Sequence, residues 1–262
     1  MLTGLIGLMS KLQTAIEAIQ NAQTQEQAFT TFCDAVAAYG YDRAGFSLMT
    51  DHPSIGQEAF HWLSSNYPED WMAHYARHDY QEIDPVFQLI LARPGAFFWS
   101  DAVAELGRTP RFFARPLDDS RNMMLEAADA GLADGIGISV VNAWGEVTGL
   151  GISRSVADGE RDIRSLADIY LLSSTFQEKY LGFHDTREIP NLTQREKEIL
   201  NWSASGKTDW EIAEITGISR ATVRFHWNNI FRKMMVNNKM SATIKAVMRK
   251  LIIPGSVRPN GQ

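Results

Sequence analysis

The chain has a single cysteine, Cys33, in 262 residues. An intramolecular disulfide, a cysteine-based zinc site and a disulfide-stapled secreted scaffold are therefore excluded, and a reducing compartment is expected. No hydrophobic run approaches the roughly 18 residues that a membrane span requires. The apolar opening, MLTGLIGLMSKLQTAIEAIQ, lacks a preceding basic segment and a small-residue cleavage pattern, so it does not read as an export signal. A soluble, cytoplasmic protein without membrane contact is the expectation. Acid is the most telling absence: from Ile215 to Gln262 there is no Asp or Glu, although the whole chain carries a net charge of −6.

What that stretch does contain is Arg220, Arg224, Arg232, Lys233, Lys239, Lys245, Arg249, Lys250 and Arg258. Divided at Pro190, the C-terminal part has twelve Lys and Arg against five Asp and Glu, a net +7, and the remainder is −13. A reversal of that size implies two domains with different partners, the basic one a candidate for nucleic acid. The polar segment GFHDTREIPNL sits where the sign changes. The expected organisation is a domain over residues 1–181, a linker over 182–192 and a second domain over 193–262.

The first domain reads as α+β. Two helices occupy residues 1–40, the second near Glu26–Tyr39 with Gly40 as its cap. AGFSLMT (44–50) and EAFHWLSS (58–65) read as strands, and 135–156 reads as a hairpin turning near Trp144 and Gly145. Helices are expected near 68–79, 84–93, 108–130 and 159–180. The resulting architecture is an α/β/α sandwich around an antiparallel sheet. No acidic pair ends the first strand, which argues against a phosphoacceptor receiver.

The second domain reads as all-helical. Thr193 with Glu196, and Thr208 with Glu211, have capping-box spacing, and Gly206 closes the first of these helices. The turn Gly217-Ile218-Ser219 leads into a longer helix with Ser219 as N-cap, the layout of a helix-turn-helix. On that helix Val223, Trp227, Ile230 and Met234 form an apolar stripe, while Arg220, Arg224, Asn228 and Arg232 share another face. Arg220, Thr222, Arg224 and Asn228 are placed to reach bases or adjacent phosphates, and Lys207, Thr208, Ser219, Arg232 and Lys233 to reach the phosphate backbone. The arginine stripe alone is equally compatible with a solvated basic face. Together with the acid-free run and the two capping boxes it favours DNA. LTQREKEIL…GKTDWEIAEITGIS…TVRFHWNNIFRK resembles the DNA-binding domain of LuxR-type transcription regulators, through Glu196, Leu200, Gly206, Thr222, Val223 and His226.

In the first domain Tyr67, Trp71 and Tyr75 recur at helical spacing, followed by Asp84-Pro85 and Trp99. Spacing alone fits core packing, and Asp84-Pro85 also fits an N-cap with proline at the first helical position. The same residues are similar to the autoinducer-binding pattern of the LuxR-type family, which binds N-acyl homoserine lactones. The resemblance implies that Trp71 donates to the lactone carbonyl and Asp84 accepts from the amide N–H. It further implies that Tyr67 bonds the amide carbonyl, Tyr75 walls the acyl chain and Trp99 packs by the lactone ring. Gly135 matches the family's glycine near the start of the third strand. Gly151 stands where many members carry Ser or Thr, so that contact is absent or made through water.

Gly137, Gly149 and Gly151 either let the long helix after Gly159 approach closely, the commoner reason for such glycines, or leave room for ligand. His74 and His78 have i, i+4 spacing but no third metal ligand, and neither a nucleophile elbow nor a phosphate loop is present. No metal and no cofactor beyond the lactone ligand are expected. The expected function is a ligand-responsive transcription regulator, acting as a homodimer on double-stranded promoter DNA. A regulator sensing another small molecule, or an enzyme acting on the lactone, are the alternatives.

Overall fold

The structure, a computed structural model, describes residues 2–52, 56–105, 117–142, 145–157, 161–183 and 190–254. Two compact units emerge, one of Met1–Val141 with Glu146–Thr186 and one of Arg187–Gln262 with the short stretch Asn142–Gly145. Of the expected linker, residues 184–189 lie outside the described residues, as do Trp144 and the first part of the helix expected from residue 108.

The first unit contains α1 (Leu2–Asn21), α2 (Gln25–Ala37), β1 (Arg43–Leu48), β2 (Phe60–Ser65), α3 (Glu69–Arg77), a 3-10 turn (Tyr80–Glu82), α4 (Pro85–Ala92), β3 (Gly95–Phe98), α5 (Trp99–Glu105), α6 (Leu117–Asp129), β4 (Asp134–Val141), β5 (Val147–Arg154) and α7 (Ile163–Gly182). The strands form one sheet in the order β2-β1-β5-β4-β3, and every neighbouring pair is antiparallel. Its two faces carry different chemistry because side chains alternate along a strand. Ala44, Phe46, Ile136, Ile138, Leu150 and Ile152 join Phe32 of α2 and Phe176 of α7 in one core, where Phe32 stacks on Phe176 at 4.7 Å and Phe46 meets it edge-on at 5.2 Å. Burial of each such ring contributes up to about 3 kcal/mol. The opposite face meets Trp71, Tyr75, Val86, Ile90, Trp99, Ala102, Met123 and Ala127 from α3, α4, α5 and α6.

Two short elements escape the sequence reading. β3 pairs Gly95–Phe98 with Ser139–Ile136 of β4, and α5 follows it without a break. Four residues are too few for a period to show, and Phe97 and Phe98 bury their rings on opposite faces of the sheet. The glycine expectation is also corrected. Gly149 and Gly151 face away from α7: a Cβ on Gly149 would lie 2.8 Å from Ile90 and one on Gly151 2.7 Å from the Tyr67 hydroxyl, while Gly137 is covered by the Phe97 ring and Gly135 by Trp99. Their missing side chains admit aromatic rings and open space on the α3–α6 side.

The second unit is α8 (Gln194–Ala204), α9 (Asp209–Thr216), α10 (Arg220–Met234) and α11 (Lys239–Met248). Both capping boxes form, and Ser219 accepts from the Thr222 amide at 3.1 Å to start α10. Gly217 takes the left-handed conformation, φ 65°, that the tight turn between α9 and α10 demands. Val223, Trp227, Ile230 and Met234 are buried against Ile199, Leu200 and Ile212, as the apolar stripe implies. Among the described residues no helix is long and apolar enough to cross a membrane.

Candidate functional sites

In the first unit, the face of the sheet that carries the glycines, together with α3, α4, α5 and α6, bounds a narrow cavity of about 520 Å³ when the solvent at its mouth is counted. Tyr67, Trp71, Tyr75, Asp84, Trp99 and Gly151 all line it, so the six candidates converge on one place. They are also core residues: Tyr67, Trp71, Tyr75 and Trp99 are each at most 6 % exposed. Pro68 sits at the cap of α3 rather than in its first turn, and the chain turns there so that Tyr67 faces the same space as Trp71 and Tyr75.

Asp84 fills the N-cap role that its sequence context allowed and also lines the cavity. Its Oδ1 accepts from the Val86 and Phe87 amides at 2.7 and 3.2 Å, capping α4, and its Oδ2 accepts from the Tyr75 hydroxyl at 3.0 Å. A carboxylate offers about four acceptor positions. Three are used, which leaves one for an N–H inside the cavity. Burial pushes the Asp84 pKa up, opposed by the two amides and the Tyr75 hydroxyl. Tyr75 is therefore a holder of Asp84 as well as a wall.

The remaining polarity of the wall is mostly donor. The Tyr67 hydroxyl and the indole N–H groups of Trp62 and Trp99 are buried without a hydrogen-bond partner, as is Nε2 of His61. Burial raises the Tyr67 pKa; the Ser153 hydroxyl stands nearby and acts the other way without closing a well-formed hydrogen bond to it. Buried polar groups are normally paired, so four orphans around one cavity mark it as built for a polar guest. Three wall residues with polar atoms, Ser47, His61 and Trp62, were not readable in advance, nor was the apolar lining from Met49, Ile90 and Met123. Strict alternation through EAFHWLSS turns His61 and Trp62 to opposite faces, whereas both line the cavity.

The second candidate surface lies on α10. Arg220, Arg224, Asn228 and Arg232 are exposed, opposite the buried stripe, and Lys207, Thr208 and Ser219 are exposed at the starts of α9 and α10. Thr222 is half-buried, its hydroxyl 2.8 Å from that of Ser219. Lys207 reaches Glu211 at 3.0 Å, and the Thr208 amide together with Lys207 and the Thr208 hydroxyl holds Glu211 down to about 2. Lys233 differs from its sequence reading. Its ammonium donates to the buried Glu196 at 2.7 Å, so it is engaged inside the helical unit.

Residues 24–180 match the Autoinducer binding domain family, and residues 190–246 match the family described as Bacterial regulatory proteins, luxR family. The chain belongs to the LuxR-type regulators. It is 28 % identical to the transcriptional activator protein SolR of Ralstonia solanacearum over 253 residues, covering 92 % of this chain and 98 % of SolR. To the transcriptional activator protein LuxR of Aliivibrio fischeri it is 28 % identical over 208 residues, covering 78 % and 79 %. Among solved structures it resembles Escherichia coli SdiA, with a TM-score of 0.69 at 25 % identity over 94 % of this chain and 99 % of SdiA. A structure of SdiA in complex with octanoyl-rac-glycerol matches with a TM-score of 0.66 at 25 % identity, over 92 % and 95 %. The chain is thus a transcription regulator with an autoinducer-binding domain and a helix-turn-helix domain, and the lactone-acting enzyme is set aside because the family consists of regulators.

Proposed function

We propose that the cavity binds an N-acyl homoserine lactone and that α10 reads promoter DNA in response. The observation that carries the ligand assignment is the polarity of the wall: one acceptor, the spare lone pair of Asp84, among several donors in an otherwise apolar enclosure. An acyl homoserine lactone presents the complement, a single amide N–H beside two carbonyl groups and a hydrocarbon chain. In this reading Trp71 donates to the lactone carbonyl, Tyr67 to the amide carbonyl, and Asp84 accepts the amide N–H. Trp99 packs by the lactone ring, and Gly151 leaves open the space beside the Tyr67 hydroxyl.

The SdiA complex with octanoyl-rac-glycerol supports a second reading, an acylated ligand without a lactone ring. Such a ligand presents two hydroxyl groups, each donor and acceptor, and one ester carbonyl, so it meets Asp84 through a hydroxyl in place of an amide N–H. Mass spectrometry of small molecules released from the denatured full-length protein separates the two. Recovery of a homoserine lactone supports the first reading; recovery of acylglycerols alone, with no response to added lactones, overturns it.

For DNA, Arg220, Thr222, Arg224 and Asn228 enter the major groove, with Lys207, Thr208, Ser219 and Arg232 at the backbone. One such helix contacts few bases, so a cytoplasmic homodimer on an inverted repeat is the functional form. Footprinting on a promoter should show two half-sites about one helical turn apart.

A further inference from the structure

The register between β1 and β2 breaks in the middle: Phe46 pairs with Ser64 and Leu48 pairs with Phe60. Opposite the single residue Ser47, β2 therefore carries His61, Trp62 and Leu63. This bulge re-aims two neighbouring side chains to one side, so the His61 and Trp62 rings both reach the cavity, 4.2 Å apart between centroids. Trp62 pays for this with a left-handed backbone, φ 58°, which a bulky residue adopts only when its surroundings enforce it. The enforcing contacts are present. The Trp62 amide donates to Ser47 Oγ at 3.0 Å, and the indole fills the position that a side chain at Gly45 would take.

Ser47 also sets the proton position on His61. Its Oγ lies 3.0 Å from His61 Nδ1 and accepts from Trp62, so its own hydrogen has the imidazole as its acceptor. Burial holds the ring neutral, pushing the pKa down to about 4. The single ring proton then sits on Nε2. That N–H is buried and unpartnered, like the Trp62 indole N–H beside it. The His61 ring packs against Tyr75, 5.4 Å between centroids, and borders a second opening beyond it. With Met49 and Phe87, His61 lines both the cavity and a surface groove that includes Phe60, Gln81 and Gln88, whereas Tyr67, Trp71, Asp84 and Trp99 line the cavity alone.

We propose that His61, seconded by Trp62, selects ligands whose acyl chain carries an oxygen acceptor, an oxo or hydroxyl group, over ligands with an unsubstituted chain. The inference rests on the lactone reading of the cavity. An unsubstituted chain would bury these N–H groups against hydrocarbon, whereas a chain oxygen pairs at least one of them.

The test uses the full-length protein and two N-acyl homoserine lactones of equal length, one with an oxo group on the chain and one without, compared by dose-response on a promoter reporter and by direct binding. Wild type should favour the oxo ligand by about tenfold or more, the worth of one buried hydrogen bond. His61→Phe should bring the ratio of the two responses close to one, and Trp62→Phe should lower the ratio by a smaller factor. His61→Gln, which retains an N–H donor, should keep part of the preference and guards against a phenylalanine variant that fails to fold. Equal response of wild type to both lactones overturns the proposal and leaves the lactone reading standing, as does an unchanged ratio in His61→Phe. Response of wild type to neither lactone overturns both.

Discussion

The Tyr75 hydroxyl donates to Asp84 Oδ2 at 3.0 Å, and Oδ1 of the same carboxylate caps α4. Asp84 is thereby held rigidly at the cavity wall by a phenol from α3 and two amides from α4. Asp84→Asn should keep the fold, because Asn is as good an N-cap as Asp. If its carbonyl oxygen stays with the amides, its NH2 group must face both Tyr75 and the ligand N–H. The loss of a charge-assisted hydrogen bond and the clash of donors should shift the ligand dose-response by about 100-fold. A folded variant responding at wild-type ligand concentrations would rule out the head-group site.

Tyr75→Phe should be milder. It keeps the packing and removes one of the three bonds that restrain the carboxylate, for a loss of about tenfold in ligand sensitivity. Isothermal titration of the two variants orders them: a phenylalanine variant worse than Asp84→Asn would mean that Tyr75 contacts the ligand more strongly than it serves Asp84.

The depth of the cavity depends on the glycines of β5. A Cβ at position 151 would meet the Tyr67 hydroxyl, and one at 149 would meet Ile90 and Met49. In wild type, affinity should rise by up to fourfold for each added methylene, at ~0.8 kcal/mol each, until the cavity is full. Gly149→Val should shorten the preferred chain, whereas Gly151→Ala should weaken all lactones alike by displacing Tyr67. A series of acyl lengths titrated against each variant reads both effects. An unchanged length optimum in a folded Gly149→Val protein would show that the tail lies elsewhere.

Neutral His61 also leaves a mark on stability. Its pKa is about 4 in the fold and 6.5 for an unperturbed histidine, so the unfolded chain binds the proton first as the solution is acidified. Stability from this group is complete above pH 6.5 and is lost as pH falls towards 4, by roughly 3 kcal/mol in all. Asp84, with its raised pKa, acts with the opposite sign. The informative quantity is therefore the difference between wild type and His61→Phe at each pH, followed by the near-UV signal of the sensor on heating. That difference should shrink from pH 7 to pH 4. A constant difference would place a charged or solvated imidazole in the wall.

On the DNA side, Arg224→Ala should relax sequence preference, and Arg232→Ala should weaken all sites and reduce the salt slope by about one. Lys233→Met should leave that slope unchanged and lower the stability of the helical unit by about 3 kcal/mol, because it strands Glu196, a buried carboxylate that also closes the cap of α8. Salt titrations of DNA affinity and thermal melts of the three variants separate the roles.

These contrasts show what the sequence disclosed and where it fell silent. Helix starts were legible because Thr193, Thr208 and Ser219 each cap by a local rule, whereas the Asp162 cap of α7 was missed and that helix was expected a few residues early. That Trp71, Tyr75 and Asp84 belong together was legible through the family resemblance, since their spacing alone fits core packing, and they do line one cavity. β3 was too short to show a period. The His61 and Trp62 pair depends on a bulge opposite Ser47, a relation between strands that neither strand carries alone. Lys233 was misjudged for a related reason: its partner Glu196 lies 37 positions away, so a basic face counted along one helix overstates the cations available to DNA.

The glycine-lined sheet gives the sensor a directional evolvability. Glycine is the smallest residue, so any point mutation at Gly45, Gly149 or Gly151 contracts the chamber or pushes an aromatic ring out of place. Lineages or laboratory selections that begin from this chain should reach narrower ligand ranges in single steps through the strands. Tolerance of bulkier signals would have to be found among the helix side chains facing them, such as Ile90, Met123 and Met124, where a shorter substitute exists.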